Sequence, residues 1–125
     1  MLLPPAIVVH GLDHARLALA HARPVTLLSA PGAALYAGAL WWRALVAQSG
    51  TTFPDIIDCA DAPGRALEAL ACDCRTIILH SCSAWPSVAE RAASAGATLL
   101  QERPPALDLA APKAAREIAA WLAIG

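Results

Sequence analysis

The sequence predicts a single α/β domain, residues 1–125, built on a doubly wound parallel sheet of about five strands with helices on both faces. Short β-branched runs alternate with longer alanine-rich stretches, which is the rhythm of βαβ units. The runs are apolar throughout, as expected for parallel strands that are covered on both faces. With 58% hydrophobic and 15% charged residues, the chain has ample material for one buried core.

Five apolar runs are the predicted strands, and the intervening stretches are the predicted helices. The strands are 6–10, 25–28, 55–59, 76–80 and 98–101. The first predicted helix begins near Asp13, and the others span 33–48, 62–72, 88–95 and 111–123. Pro31 should lie in the first turn of helix 33–48, and Ser87-x-x-Glu90 resembles a capping box. This alternation is typical of flavodoxin-like or half-Rossmann sheets.

Charge and hydropathy exclude two classes of partner. The net charge is −1, with Lys113 as the single lysine and arginines scattered along the chain, so we expect no nucleic-acid binding. Residues 25–42 carry no charge, but Ser29-Ala30-Pro31-Gly32 divides them, so we expect no membrane span.

The N-terminal residues lack the basic segment and cleavage site of a signal peptide, which predicts a cytoplasmic protein. Four cysteines, Cys59, Cys72, Cys74 and Cys82, would then be reduced thiols. Their spacing does not match a zinc ribbon.

Polar residues follow the predicted strands at their carboxyl ends, where open α/β sheets bind ligands. Capping of the adjoining helices explains part of this pattern as well. We expect His10 to lie within about 10 Å of at least one of Asp58, Asp61 and His80, since the strands that carry them are central in common sheet orders. The candidate ligand-binding residues are His10, Gly11, Asp13, His14, Ser29, Gly32, Asp58, Cys59, Asp61, His80, Ser81 and Cys82.

Two chemistries are conceivable for the side chains at this edge. His10 and His14 could meet a carboxylate of Asp58 or Asp61 to hold a metal, but His10 ends a strand while His14 lies in a helix, so no metal ligand is assigned. A thiol nucleophile, Cys59 or Cys82, could pair with His10 across neighbouring strands, although buried structural cysteine is the more common role.

A phosphate group is a third alternative. The turn Ser29–Gly32 opens a helix and offers backbone amides to an anion, with Arg16 or Arg65 nearby. It lacks both the second glycine of a dinucleotide turn and the lysine of a P-loop. The sequence therefore leaves the cofactor unknown.

Helix 33–48 is more apolar than an outer helix needs to be. Leu35, Ala39, Trp42 and Val46 form the stripe expected to face the sheet. Leu40 and Trp41 lie on another side, where either a neighbouring segment or a second copy must cover them. We favour a homodimer through this helix.

These observations favour a non-catalytic ligand-sensing or protein-interaction module that acts as a homo-oligomer, with a small molecule as its possible ligand. The alternative is a small hydrolase or transferase with its site at the carboxyl edge of the sheet.

Overall fold

The computed structural model describes residues 3–124 and contains one sheet of six parallel strands. The α/β class with a parallel sheet is confirmed, with six strands in place of the expected five. The strands are β1 (Ala6–Val9), β2 (Thr26–Ser29), β3 (Asp55–Asp58), β4 (Thr76–Ile78), β5 (Thr98–Leu100) and β6 (Ala106–Asp108).

The strands stand in the order β5-β4-β3-β2-β1-β6. From β1 to β5 each new strand is added on the same side of the previous one. The last strand, β6, is added on the opposite side of β1, so the direction of strand addition reverses once. This order differs from the order 2-1-3-4-5 of flavodoxin-like sheets. The strand that sequence analysis missed is β6. It has three residues, directly after Pro104-Pro105, and its short apolar run is interrupted by Asp108.

Six helices connect or follow the strands, and none of them within residues 3–124 is long and apolar enough to cross a membrane. They are α1 (Leu12–Leu19), α2 (Ala33–Tyr36), α3 (Ala39–Ser49), α4 (Pro63–Ala71), α5 (Trp85–Ser94) and α6 (Ile118–Leu122). A single 3-10 turn, Ala114–Glu117, precedes α6.

The predicted helix 33–48 is wrong as one continuous element, because the chain leaves the helical conformation between α2 and α3. Gly38 has φ 86° and ψ 162°, a conformation that is nearly exclusive to glycine. Pro31 lies in the turn before α2 instead of in its first helical turn, and Gly32 caps the helix in the left-handed region.

Two further helix boundaries differ from the predictions. Helix α5 begins at Trp85, so Ser87 lies inside its first turn and makes no capping hydrogen bond. The predicted helix 111–123 is confined to the 3-10 turn and α6, because Lys113 adopts a left-handed conformation with φ 64°.

The buried side chains form two clusters, one on each face of the sheet. The larger cluster contains buried residues of all six helices and of strands β1 to β4. The smaller contains no helical residue; it consists of Ala6, Val8, Leu28, Ile56 and Ile78, with Leu3, Leu100 and Ala106 packed against it. Chain segments therefore cover the second face, where helices were expected.

The connection between β5 and β6 shows that the sheet is curled. These strands lie at opposite edges, five spacings or about 24 Å apart along a flat sheet. The six residue steps from Leu100 to Ala106 reach only about 20 Å. The sheet must therefore curl towards its second face, the one that carries the smaller cluster. Residues 101–105, here called the crossing segment, run across that face from one edge of the sheet to the other.

Candidate functional site

The strand order reverses at β1, which lies between β2 and β6. Ligands of open α/β sheets bind at the carboxyl ends of the strands at such a reversal. His10 follows β1 there and Asp108 ends β6. The imidazole Nε2 of His10 donates a hydrogen bond of 2.7 Å to Oδ1 of Asp108. Both side chains remain more than one-third accessible to solvent, at 34% for His10 and 44% for Asp108.

His14, in the first turns of α1, completes the cluster. The backbone N–H of His10 donates to Nδ1 of His14 at 3.1 Å, so a neutral His14 must carry its proton on Nε2. The two rings are 5.6 Å apart and nearly perpendicular. A surface cavity of about 360 Å³ opens here. Its lining consists of His10, Gly11, Leu12, Asp13 and His14.

The carboxylate of Asp108 is held in its charged form. Partial burial acts to raise its pKa, but this effect is outweighed by hydrogen bonds from the backbone N–H of Ala110 and from His10, and by the charges of His10 and Arg103. The pKa of Asp108 therefore lies below its usual value. Its carboxylate accepts the proton that His10 carries on Nε2, so the neutral form of His10 has its acceptor at Nδ1.

A buried polar group lies beside this cluster, at the ends of β2 and β3. Arg103 Nη1 donates to Asp58 Oδ2 at 2.7 Å and to the carbonyl of Ser29 at 3.1 Å. The Asp58 backbone N–H donates to Ser29 Oγ at 2.9 Å, and Asp58 Oδ1 accepts from the N–H of Ala60 at 2.7 Å. Because the Asp58 side chain is only 1% exposed, this carboxylate serves the packing of the crossing segment.

The structure joins some of the predicted residues and leaves others apart. His10 pairs with His14, and Ser29 pairs with Asp58. His80 instead donates from Nδ1 to the carbonyl of Gln101. Since β2 separates β1 from β3, His10 and Asp58 come from strands that are about 10 Å apart, and their predicted proximity stays a prediction.

The remaining predicted residues have less distinctive surroundings. Gly32 is the N-cap of α2, Asp61 and Ser81 are exposed, and Cys82 is half-buried against the larger cluster. Cys59 is fully buried, and burial, followed by the nearby Cys74 and Asp58, raises the pKa of its thiol to about 12. A thiolate is therefore strongly disfavoured at Cys59.

The other two chemistries considered from the sequence find limited support. Within residues 3–124, no group of three His, Cys, Asp or Glu side chains is placed to hold a metal ion. The turn at Ser29–Gly32 leads into α2, which has only four residues, and the Ser29 hydroxyl donates to the carbonyl of Ala30. That helix is too short to provide a strong dipole for a phosphate.

Sequence analysis missed Arg103 and Asp108, the two charged residues that organise this edge. The segment Ala106-Leu107-Asp108-Leu109 follows two prolines and consists of apolar residues around a single carboxylate. That pattern is the only local sign of a short strand ending in a carboxylate.

Comparison with protein-family models, curated proteins and solved structures finds no match to this chain.

Proposed function

We propose that this protein is a ligand-binding α/β module whose site is the cavity that follows the carboxyl end of β1, next to β6. The observation that carries the proposal is the 2.7 Å contact between His10 and Asp108 at the reversal of strand order, beside an open cavity. Solvent-accessible side chains with fixed proton positions are suited to recognition, because little conformational entropy is lost when a ligand binds.

The proton positions define the class of ligand. Neutral His10 donates from Nε2 to Asp108 and offers an acceptor at Nδ1, and neutral His14 carries a donor at Nε2. Asp13 adds an exposed carboxylate at the rim of the cavity. The fitting ligand is a small polar molecule that presents a donor and an acceptor on neighbouring atoms, as primary amides, hydroxy acids and nucleosides do.

Ligand-observed NMR with a panel of these three compound classes tests the proposal. We expect at least one class to bind the wild type and to lose binding in His10→Ala and in Asp108→Asn. His21→Ala, which removes an exposed histidine after the end of α1, is the control and should bind normally. Equal binding by His10→Ala and the wild type would contradict this site.

The same pair of residues supports a second candidate function, a small hydrolase or transferase. A carboxylate-bound imidazole is the usual arrangement of a general base. The raised pKa of Cys59 argues against that thiol as the nucleophile, so water or a substrate hydroxyl would have to be activated by His10. Turnover of activated esters that disappears in His10→Ala but survives in Cys59→Ala would support this alternative.

We further propose that the protein is a cytoplasmic homodimer assembled through α2 and α3. The four cysteines are free, which fits a reducing compartment. Tyr36 and Leu40 are 71% and 76% exposed, whereas Trp41 is half-buried against the larger cluster. The supporting surface is thus centred on Leu40 and Tyr36, and Trp41 stays at its margin.

Sedimentation at tens of micromolar tests the dimer. We expect a dimeric wild type and a monomeric Leu40→Glu, since a charge at the centre of an apolar contact would remain desolvated. Leu17→Glu, an exposed leucine on α1, is the control and should remain dimeric. A monomeric wild type would contradict the proposed assembly.

A further inference from the structure

The strand that carries Asp108 has little local support. β6 is three residues long and pairs with β1 alone. It is reached through the crossing segment, residues 101–105, with no helix to anchor the connection. A carboxylate at the end of such a strand needs a further constraint if it is to stay 2.7 Å from His10.

Arg103, in the middle of the crossing segment, provides a constraint of this kind. One of its guanidinium nitrogens bonds both the Asp58 carboxylate and the Ser29 carbonyl, so the segment is fixed to the ends of β3 and β2. Asp58 is itself immobilised, because Ala60 donates to its other oxygen and its own N–H donates to Ser29. The attachment point is therefore a rigid part of the central sheet.

Only four residues lie between Arg103 and Asp108. Two of the residues after Arg103 are prolines, Pro104 and Pro105, whose rings fix φ and stiffen the path to β6. A fixed start and a stiff path together determine where β6 lies along β1. Arg103 also acts directly on the same carboxyl group, since its charge helps to lower the pKa of Asp108.

We propose that Arg103 and Asp58 are positioning residues, which act through the crossing segment and β6 to hold Asp108 against His10. Neither residue lines the cavity, so they act on the site through the crossing segment and, for Arg103, also through its charge near Asp108. The inference extends the proposed function, because it names what controls that site. It is tested without ligand, so it can hold even if ligand binding fails.

The experiment measures the tautomer of each neutral histidine ring by long-range ¹H–¹⁵N NMR on the full chain at mildly alkaline pH. Wild-type His10 should show one tautomer, with its proton on Nε2, and Asp108→Asn should convert it into a mixture. We expect Arg103→Met to give the same mixture, because the crossing segment loses its attachment to Asp58. His14 is the internal control, since its tautomer depends on the His10 backbone N–H alone.

A second control separates positioning from the general loss of an arginine. Arg65→Met removes the exposed ion pair with Glu68 on α4, with 2.9 Å between Nη1 and Oε2, and should leave His10 in one tautomer. Retention of that single tautomer in folded Arg103→Met would overturn the proposal.

If Arg103→Met does not fold, Arg103→Lys decides the question. A lysine keeps the charge, but its shorter side chain ends before the position of Nη1, the atom that donates to both Asp58 and Ser29. The fraction of His10 with its proton on Nε2 should then fall between the wild-type and Asp108→Asn values. An unchanged fraction would overturn the proposal.

Discussion

At the scale of single residues, burial separates the four cysteines into two pairs. Cys59 and Cys74 are buried in the larger cluster, whereas Cys72 and Cys82 are half-buried at its margin. Burial raises the pKa of Cys59 to about 12 and that of Cys74 to about 11. Only the thiolate is nucleophilic, so the buried pair should be inert in the folded protein.

Alkylation with iodoacetamide at pH 8, followed by peptide mass spectrometry, tests this division. We expect Cys72 and Cys82 to be modified in the native protein, and Cys59 and Cys74 only after denaturation. Equal labelling of Cys59 and Cys82 without denaturant would show that the core opens more readily than its packing indicates.

The ion pair at the site predicts a defined dependence of stability on pH. The folded-state pKa of Asp108 is lowered, so its stabilising effect is present above the ordinary value of about 4 and is lost as the pH falls through the folded-state value. Because the side chain is largely accessible to solvent, we expect Asp108→Asn to destabilise the protein by at most about 1 kcal/mol at pH 7.

Urea unfolding of the wild type and Asp108→Asn at pH 7 and pH 3 measures this contribution. The difference in the free energy of unfolding should shrink at pH 3, where the unfolded wild-type carboxyl is protonated. A difference that grows towards low pH would contradict the assignment of Asp108 as the charged partner.

At the scale of elements, the strands were easier to predict than the helices. The predicted strands at 6–10, 25–28 and 55–59 each agree with the structure to within one residue, because a parallel strand buried on both faces must be an apolar run. The break between α2 and α3 could not be predicted in the same way. Gly38 lies in an alanine- and leucine-rich stretch that would equally suit a continuous helix.

The site was predicted only in part for a related reason. The carboxyl edge and His10 follow from the strand pattern, but the partner of His10 depends on which strand lies next to β1. That neighbour is β6, about 100 residues away in the sequence. No local pattern around His10 carries this information.

The backbone at Gly38 gives a prediction for stability. An added Cβ would meet no atom within 4 Å, so Gly38→Ala tests the backbone conformation alone. We expect it to destabilise the protein by about 1–2 kcal/mol, since φ 86° is strained for any residue with a side chain.

Gly64→Ala is the matched control for this prediction. Gly64 lies within α4, also has open space around the added Cβ, and needs no left-handed conformation. It should stabilise the protein by about 0.5–1 kcal/mol. The same sign for both substitutions in urea unfolding would contradict this account of the α2–α3 break.

At the scale of the whole molecule, the two faces of the curled sheet are covered by different parts of the chain. The helices pack on one face, where their side chains and those of the strands form the larger cluster. The second face, which carries the smaller cluster, is covered by the crossing segment and residues 3–5, with a groove of about 580 Å³ between them. Trp121 reaches this side from α6 and donates from Nε1 to the carbonyl of Ala6 at 2.7 Å. A sheet of short strands is thus covered on both faces with only one layer of helices.

The position of β6 also has a consequence for the order of folding. The pairing of β1 with β2 joins residues about 20 apart, whereas its pairing with β6 joins residues about 100 apart. Loop closure costs about 0.6 kcal/mol for each doubling of length, so the long pairing is entropically the later event. The first five strands can assemble in sequence, and β6 should dock on a sheet that is already formed.

Stopped-flow kinetics can detect this order. Leu107→Ala, in β6, should accelerate unfolding and leave the folding rate nearly unchanged, because contacts that are absent from the transition state affect only the unfolding limb. Leu27→Ala, in β2, should slow folding as well. If Leu107→Ala slows folding as much as Leu27→Ala, the two ends of the chain meet early. If Leu107→Ala leaves the folding rate nearly unchanged, β6 docks last. The contact between Asp108 and His10 then forms only at the end of folding.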